Sequence, residues 1–537
     1  MSHKYKERFS RNQTTFIYLI LILLSALAIR IIGLRFGFPY LLHPDEVTAV
    51  KRAILFFRDG LNPRWFGMPS LYLYLLHFSY LIYYKAEVLL GISQVLPHLQ
   101  SELIPFYFIG RIWSALLGSG TVIVVYLTGK RLYSTITALG ASFLIAVLPL
   151  HLLHSHYATV DVPVTFLITL SFFFSATLLR ERRLKYYLLA GIAAGLASAT
   201  KYNGIFTIFP ILAAHFLRER GGEKNIIHRI GDPFLLLGLV LSAIAFVLAT
   251  PYSIIELSRF LQDIGTQSYY LINSGHGPIF IGTKPGAIYQ LRYTLFYAGG
   301  PVFWVMALAG LIYALRCRQK ADWLILSWVI PYFILISIPV VKFSRFFIPM
   351  LPFFSIWAGR LLEVQFKRPL ISRLYRAVWS VAVFWLLLQA VAFTGVLART
   401  DPRLEAKIWL EANLPRPCRI GLIRTETGLI FLDDPPLDRN LPGLVVEQYK
   451  RLLPALERRP QYIIATDFDY RQILRLKELY DQKRCDRWND FLAGNLGYKK
   501  IKEFNSDPRL LWFSFGGSFP PHDMIYNRPR ISVFQRE

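Results

Sequence analysis

Residues 14–36 read TTFIYLILILLSALAIRIIGLRF, and Leu42-His43-Pro44-Asp45-Glu46 begins six residues later. An apolar run of that length matches a bilayer's hydrocarbon core of about 30 Å, at 1.5 Å of rise per helical residue. Ten further blocks of the same character follow, at 106–129, 133–152, 162–179, 186–200, 203–217, 233–252, 291–315, 322–341, 344–362 and 376–398. Eleven membrane spans are expected. The chain has 537 residues, 54% of them hydrophobic, with a mean hydropathy of +0.39. Disordered, collagen-like and disulfide-rich secreted classes are excluded. Cys317, Cys418 and Cys485 have no CxxC spacing, which argues against a zinc ribbon or a disulfide framework.

Charge supplies the topology. Lys and Arg total 60 against 34 Asp and Glu, a formal net of +26. From residue 399 onward there are 24 basic and 19 acidic residues, a net of +5, which leaves +21 for the first 398 residues. A uniformly basic surface would indicate nucleic acid; here the charge is confined to loops between spans. With the N-terminus inside, 22 basic residues fall on one side: Lys4, Lys6, Arg8, Arg11, Lys130, Arg131, Arg180, Arg182, Arg183, Lys185, Arg218, Arg220, Lys224, Arg229, Arg316, Arg318, Lys320, Arg360, Lys367, Arg368, Arg373 and Arg376. The short connections opposite hold Lys201, Arg259, Lys284, Lys342 and Arg345. The positive-inside rule then puts the N-terminus in the cytoplasm, with 37–105, 151–161, 253–290 and everything after 398 outside. The first block is too long for a cleaved signal and no small-residue cleavage site follows it, so it reads as an uncleaved span.

Two outer segments differ in kind. Residues 37–105 are rich in aromatics and poor in charge, which predicts helices in the membrane interface, centred on 66–92. From 399 to 537 the pattern becomes that of a small α/β domain. It shows a helix at 402–413, strand-like runs at 419–423, 462–465, 498–504, 510–515 and 531–535, and a helical stretch at 471–488. Residues 1–398 form the membrane domain.

Signatures of nucleotide and hydrolytic chemistry are missing: the sequence contains no GxxxxGK[ST], strand-linked GxGxxG, HExxH or GxSxG. Ionisable groups gather instead at the outer span ends. Asp45 and Glu46, beside a turn fixed by Pro44, suit a general base or a metal ligand; the alternative is a plain interfacial turn with solvated acids. His151, His154 and His156 in the turn before Asp161 have metal-ligand chemistry or simply cap helix ends. Asp161 opens a span, where an acid also serves as an N-cap. Lys201, Lys342 and Arg345 run against the charge bias of their side, which gives them a local purpose: neutralising those acids or binding a lipid phosphate. His43, His156 and Tyr202 stand beside these groups and are expected to contact substrate.

These motifs, taken in order, resemble the polytopic GT-C glycosyltransferases, in particular glycosyltransferase family 39, which holds the protein O-mannosyltransferases and the bacterial lipid A aminoarabinose transferases. The likeness rests on His43-Pro44-Asp45-Glu46, Asn62-Pro63-Arg64-Trp65-Phe66-Gly67-Met68-Pro69-Ser70-Leu71-Tyr72 and Asp161. It continues through Lys201-Tyr202-Asn203-Gly204, Arg345-Phe346-Phe347-Ile348-Pro349-Met350-Leu351-Pro352 and Ala406-Lys407-Ile408-Trp409-Leu410-Glu411-Ala412-Asn413-Leu414-Pro415. The resemblance implies a polyprenyl-phosphate-linked sugar donor and a glycan, lipid or protein acceptor, with no cofactor, metal or nucleic acid. It implies Asp45 as general base, Glu46 as the acid beside it, Asp161 as the second acid, and Lys201, Arg345 and Lys342 on the donor phosphate. Eleven spans matches neither subgroup clearly, so the sugar is left open. The chain is expected in the plasma (inner) membrane of a bacterium or archaeon. Two other readings fit the class: a metal-dependent oligosaccharyltransferase or ligase, and a non-enzymatic transporter of lipid-linked sugar.

Overall fold

In the computed structural model every apolar block carries a helix. The structure describes residues 3–100, 102–218, 226–274, 279–423, 443–478 and 480–537; Arg220 and Lys224, assigned above to an inner loop, lie outside them. Among the described residues, seven helices are long and apolar enough to cross a membrane: Gln13–Ile31, Ile104–Leu132, Asp161–Leu178, Gly286–Cys317, Lys320–Ser337, Ser344–Glu363 and Pro369–Ala398. Thr135–Val147, Tyr202–Leu217 and Pro233–Ala249 are shorter apolar helices, and Leu184–Thr200 has 17 residues. The four short ones differ from the uniform spans expected for local reasons. Thr135–Val147 stops because Leu148 must be extended before Pro149, which opens the next short helix, Pro149–His154. Leu184–Thr200 stops at Lys201, whose backbone is extended at φ −152°, ψ 131°.

Packing inside the bundle relies on small residues and buried polar staples. A Cβ on Gly191 would sit 2.0 Å from the Gly238 carbonyl oxygen, so Leu184–Thr200 and Pro233–Ala249 touch backbone to backbone only because both positions are glycine. Arg30, within the first span, is fully buried. It donates to Ala26 O at 2.9 Å, Ala146 O at 3.0 Å and Ser155 Oγ at 3.2 Å. A charged group at membrane depth is retained when its donors are met in this way.

The stretch expected to be interfacial holds two helices, Pro44–Asp59 and Leu71–Leu89. They bury Val50, Ala53, Leu73 and Leu76 against Phe106, Tyr107 and Ala158. Beyond residue 398 a helix, Pro402–Asn413, precedes a five-stranded sheet. Its strands are β1 Cys418–Ile423, β2 Leu444–Tyr449, β3 Tyr462–Thr466, β4 Tyr498–Phe504 and β7 Ile531–Arg536, in the order β2-β1-β3-β7-β4. β2, β1 and β3 are parallel, and β7 runs antiparallel to both β3 and β4. A separate hairpin pairs β5 Arg509–Leu510 with β6 Phe513–Ser514. The single helix expected at 471–488 is two, Asp467–Arg475 and Gln482–Ala493. Each has its own start signal: Thr466 and Asp469 form a capping box, and Asp481 caps the second. Strand β2, which the reading above omits, pairs with β1 along its whole length.

Candidate functional site

Pro44 stands at the first turn of its helix with His43 extended at the cap, which presents Asp45 at the helix's positive end. The Asp45 carboxylate accepts a hydrogen bond from Arg345 Nη1 at 2.7 Å. Asp161, the first residue of its span, accepts one from Lys201 Nζ, also at 2.7 Å. Both acids and both cations line a single cavity of about 480 Å³. Its remaining wall includes Met68, Pro69, Tyr202, Asn203, Phe206, Leu335, Ile336, Phe343 and Phe346. The Lys201 ammonium also lies 5.0 Å from the centre of the Phe346 ring. Burial pushes the Asp45 carboxyl above its ordinary range; Arg345 pulls it back down and the nearby Asp161 charge pushes it up.

Arg345 is delivered by the turn Ser344–Met350, and that turn is clamped from the C-terminal domain. Asp523, buried at 2% exposure, accepts from Ser344 N at 3.1 Å, Ser344 Oγ at 2.8 Å and Arg345 N at 2.9 Å. The domain beyond residue 398 therefore reaches into the site through one carboxylate. Its second hold is Arg403, paired with Asp401 at 2.7 Å and donating to Tyr526 O at 3.0 Å and Leu42 O at 3.4 Å.

Several expected site residues stand elsewhere. Glu46 is one step around the helix from Asp45 and is turned away from the cavity. It forms a fully buried fork with Arg111, at 2.8 and 2.7 Å, and also accepts from Ala158 N at 2.8 Å. It holds the Pro44–Asp59 helix against the Ile104–Leu132 span and the turn before Asp161. His156 is fully buried, with both ring nitrogens 2.9 Å from the carbonyl oxygens of Leu152 and Ile32. His43 is buried and stacked on Tyr157 at 3.9 Å between ring centres, and the cationic surroundings add to burial in keeping it neutral. Lys342 donates to Thr283 Oγ1 at 3.0 Å and does not line the cavity. Tyr202 does line it, with its hydroxyl donating to Phe66 O at 2.7 Å. His151 contacts Arg30 at 3.0 Å, so the three histidines of the turn do not converge.

Arg111 and Asp523 were missed. Arg111 was visible as a lone cation five residues into an apolar block, a position that demands a partner. Nothing in the Asp523 neighbourhood marks it, because its partners lie 178 and 179 residues away in sequence. A second cavity of about 1010 Å³ is larger, but it contains none of the paired acids and cations. It is lined by Tyr289, Tyr293, Tyr297, Trp304, Phe519, Arg471 and Arg475, and lies between the Gly286–Cys317 span and the C-terminal domain. The paired acids and cations gather in the smaller chamber.

A helical bundle with a chamber of acids and cations at its span ends, followed by a mixed sheet domain, has the GT-C fold of membrane glycosyltransferases. Within the chain, residues 107–252 match the family model described as dolichyl-phosphate-mannose-protein mannosyltransferase. The crystal structure of ArnT from Cupriavidus metallidurans in the apo state aligns with a TM-score of 0.51 and 14% identity, covering 86% of this chain and 95% of that one. The same protein bound to undecaprenyl phosphate gives 0.51 and 13%, covering 96% and 98%. The oligosaccharyltransferase AglB of Archaeoglobus fulgidus, in complex with an inhibitory peptide and a dolichol phosphate, gives 0.47 and 12%, covering 96% and 77%. At these identities the likeness is one of fold. No curated protein sequence matches the chain.

Proposed function

We propose that this chain is a glycosyltransferase that moves a sugar from a polyprenyl-phosphate donor to an acceptor hydroxyl, at the membrane face from which the C-terminal domain projects. The observation that carries the reading is the convergence of Asp45, Arg345, Asp161 and Lys201 on one partly apolar cavity. Asp45 takes the acceptor's proton as its oxygen attacks the anomeric carbon. The bond from that carbon to the phosphate oxygen breaks, and its electron pair leaves with the lipid phosphate. Arg345 and Lys201 meet the charge that grows on the departing phosphate. Asp161 orients Lys201. The energy resides in the donor's phosphodiester, so the reaction needs no nucleotide, cofactor or metal. Family model and fold support this reading, since ArnT has been crystallised with a polyprenyl phosphate. The acceptor is proposed to enter from the larger cavity, whose aromatic wall and arginines suit an amphipathic molecule. The expected orientation places this face outside the inner membrane.

The test is a transfer assay with purified protein in liposomes, a radiolabelled pool of polyprenyl-phosphate sugars and membrane acceptors. Wild type should move label to an acceptor, and Asp45→Asn should fold yet be slower by roughly 10²–10⁴-fold. Equal transfer by both would remove Asp45 as the base. Labelled lipid crossing the bilayer without transfer would replace the enzyme with a transporter.

A further inference from the structure

Leu510-Leu511-Trp512-Phe513-Ser514-Phe515 has no part in the chemistry above. It forms most of the hairpin that stands apart from the five-stranded sheet, with Arg509 opposite Ser514 and Leu510 opposite Phe513. Two-residue hairpin turns favour Gly, Asn or Asp, because a turn of this size requires left-handed backbone. Here the turn is Leu511-Trp512, and Leu511 adopts φ 54°, a left-handed conformation that a residue with a side chain adopts only at a cost. These two residues are 81% and 90% exposed. An apolar turn held at a conformational cost and projecting from its domain needs an apolar environment around it.

Its position supplies that environment. The rings of Phe513 and Phe515 each lie 5.1 Å from the ring of Trp385, in the last span. Phe515 also packs on the core of the helical bundle. Trp385 lies 13 residues before the end of the Pro369–Ala398 helix, about 20 Å along its axis. It lies 17 residues, or about 26 Å, beyond Arg368, the cap at the opposite, basic end. A hydrocarbon layer of about 30 Å that starts there ends just past Trp385, on the C-terminal domain's side. The helix exposes Val381 and Phe384 beside it, as a lipid-facing surface would. Arg509, at the root of the hairpin, is exposed and 3.5 Å from Asp507, which suits the headgroup level. Each strand is only two residues long, so few main-chain groups would lose water.

We propose that the hairpin Arg509–Ser514 is a lipid-embedded wedge. It enters the leaflet on the C-terminal domain's side, alongside the last span, and sets Leu511 and Trp512 among acyl chains. Tryptophan suits that depth, with an apolar body and one N–H for the glycerol region. The wedge gives the domain a hold on the bilayer eleven residues before Asp523, the carboxylate that clamps Arg345.

The experiment places a nitroxide at position 511 or 512 through Leu511→Cys or Trp512→Cys in a Cys317→Ser background. Cys418 and Cys485 are buried and stay unlabelled. The full chain is reconstituted in phosphatidylcholine–phosphatidylglycerol liposomes, and collision with oxygen and with a water-soluble nickel chelate is compared. The expected oxygen-to-nickel ratio matches a label at Phe384 and exceeds one at Lys483, which is exposed in the C-terminal domain. A ratio like that of Lys483 overturns the proposal. So does dipolar broadening that unlabelled protein dilutes away, since the tip would then rest on a second copy. Should the labels disturb the turn, native Trp512 serves. Acyl-brominated lipid should quench a share of tryptophan fluorescence that Trp512→Phe removes, and an unchanged quenched share overturns the wedge.

Discussion

Replacing Glu46 by Gln separates two roles that adjacent carboxylates make easy to confuse. Glu46 and Arg111 are both fully buried, and the carboxylate satisfies Arg111 Nε, Arg111 Nη2 and Ala158 N. Gln fills the same volume, so no cavity forms. Its single carbonyl oxygen can still accept from Ala158 N or Arg111, while its amide NH₂ faces an Arg111 N–H. Arg111 keeps its bonds to Leu34 O at 2.8 Å and Phe36 O at 2.9 Å, and its place 3.9 Å from the Phe36 ring centre. What is lost is the countercharge, and breaking a fully buried pair costs about 3–5 kcal/mol. Against the 5–15 kcal/mol that stabilises a typical domain, the variant should unfold at a clearly lower temperature by intrinsic fluorescence in liposomes. Transfer per folded molecule should remain near wild type at a temperature where the variant is folded. An Arg111→Met, Glu46→Leu double variant removes both charges and should recover much of the stability. If Glu46→Gln unfolds like wild type but loses transfer as severely as Asp45→Asn, the assignment of Glu46 to structure is wrong and it belongs to the chemistry.

Three further outcomes are expected. Asp523→Ala strips an acceptor from two main-chain N–H groups, at about 1.5–3 kcal/mol per bond to a charged group, and should raise KM for the donor more than it lowers kcat; Asp523→Asn should recover part of the loss, and an unchanged donor KM would refute the clamp. Burial holds Asp45 above its ordinary value of 3.8 while Arg345 lowers it, so the acid limb of kcat/KM should lie above 3.8, with activity falling as pH drops and the base protonates. Arg345→Gln should move that limb higher still in a pH–rate series, and a limb that stays put would sever Asp45 from it. Chelation with EDTA should leave the transfer rate unchanged, and a loss restored by one divalent ion would favour the metal-dependent ligase reading.

The fold was legible because its strongest signal, apolar blocks of bilayer length, is local in sequence. Helix ends were less so: Pro149 and Lys201 cut two blocks below spanning length, and only the structure shows where each helix stops. Within the site, the pairs Asp45–Arg345 and Asp161–Lys201 were visible as charges on the sparsely charged side. Their partnership across 300 and 40 residues was not. Glu46 stands away from the chamber because adjacency in sequence is not adjacency in space: successive helical residues are turned about 100° apart, so one acid faces the chamber and the next faces the bundle. Lys342 stands apart from the chamber because it precedes the turn Ser344–Met350 that carries Arg345, and its ammonium donates to Thr283 Oγ1 instead.

The pairing also bears on when the base works. Without donor, the four charges of the chamber neutralise each other as two pairs, each at 2.7 Å, and isolated ions in so apolar a pocket would cost far more. On the proposed reaction, the phosphate of an arriving donor competes with Asp45 for Arg345 and with Asp161 for Lys201. Drawing Arg345 off would leave Asp45 with less countercharge and a higher affinity for a proton. The Asp45 side chain is 35% exposed against 5% for Asp161, so of the two acids Asp45 is the more accessible and is the one proposed to meet the acceptor hydroxyl. The buried Asp161 holds Lys201 with little access to acceptor, which fits an orienting role. On that proposal the donor's own charge would make Asp45 more basic as it binds, and Asp523, which fixes the backbone of Arg345, would limit how far that cation could follow the phosphate.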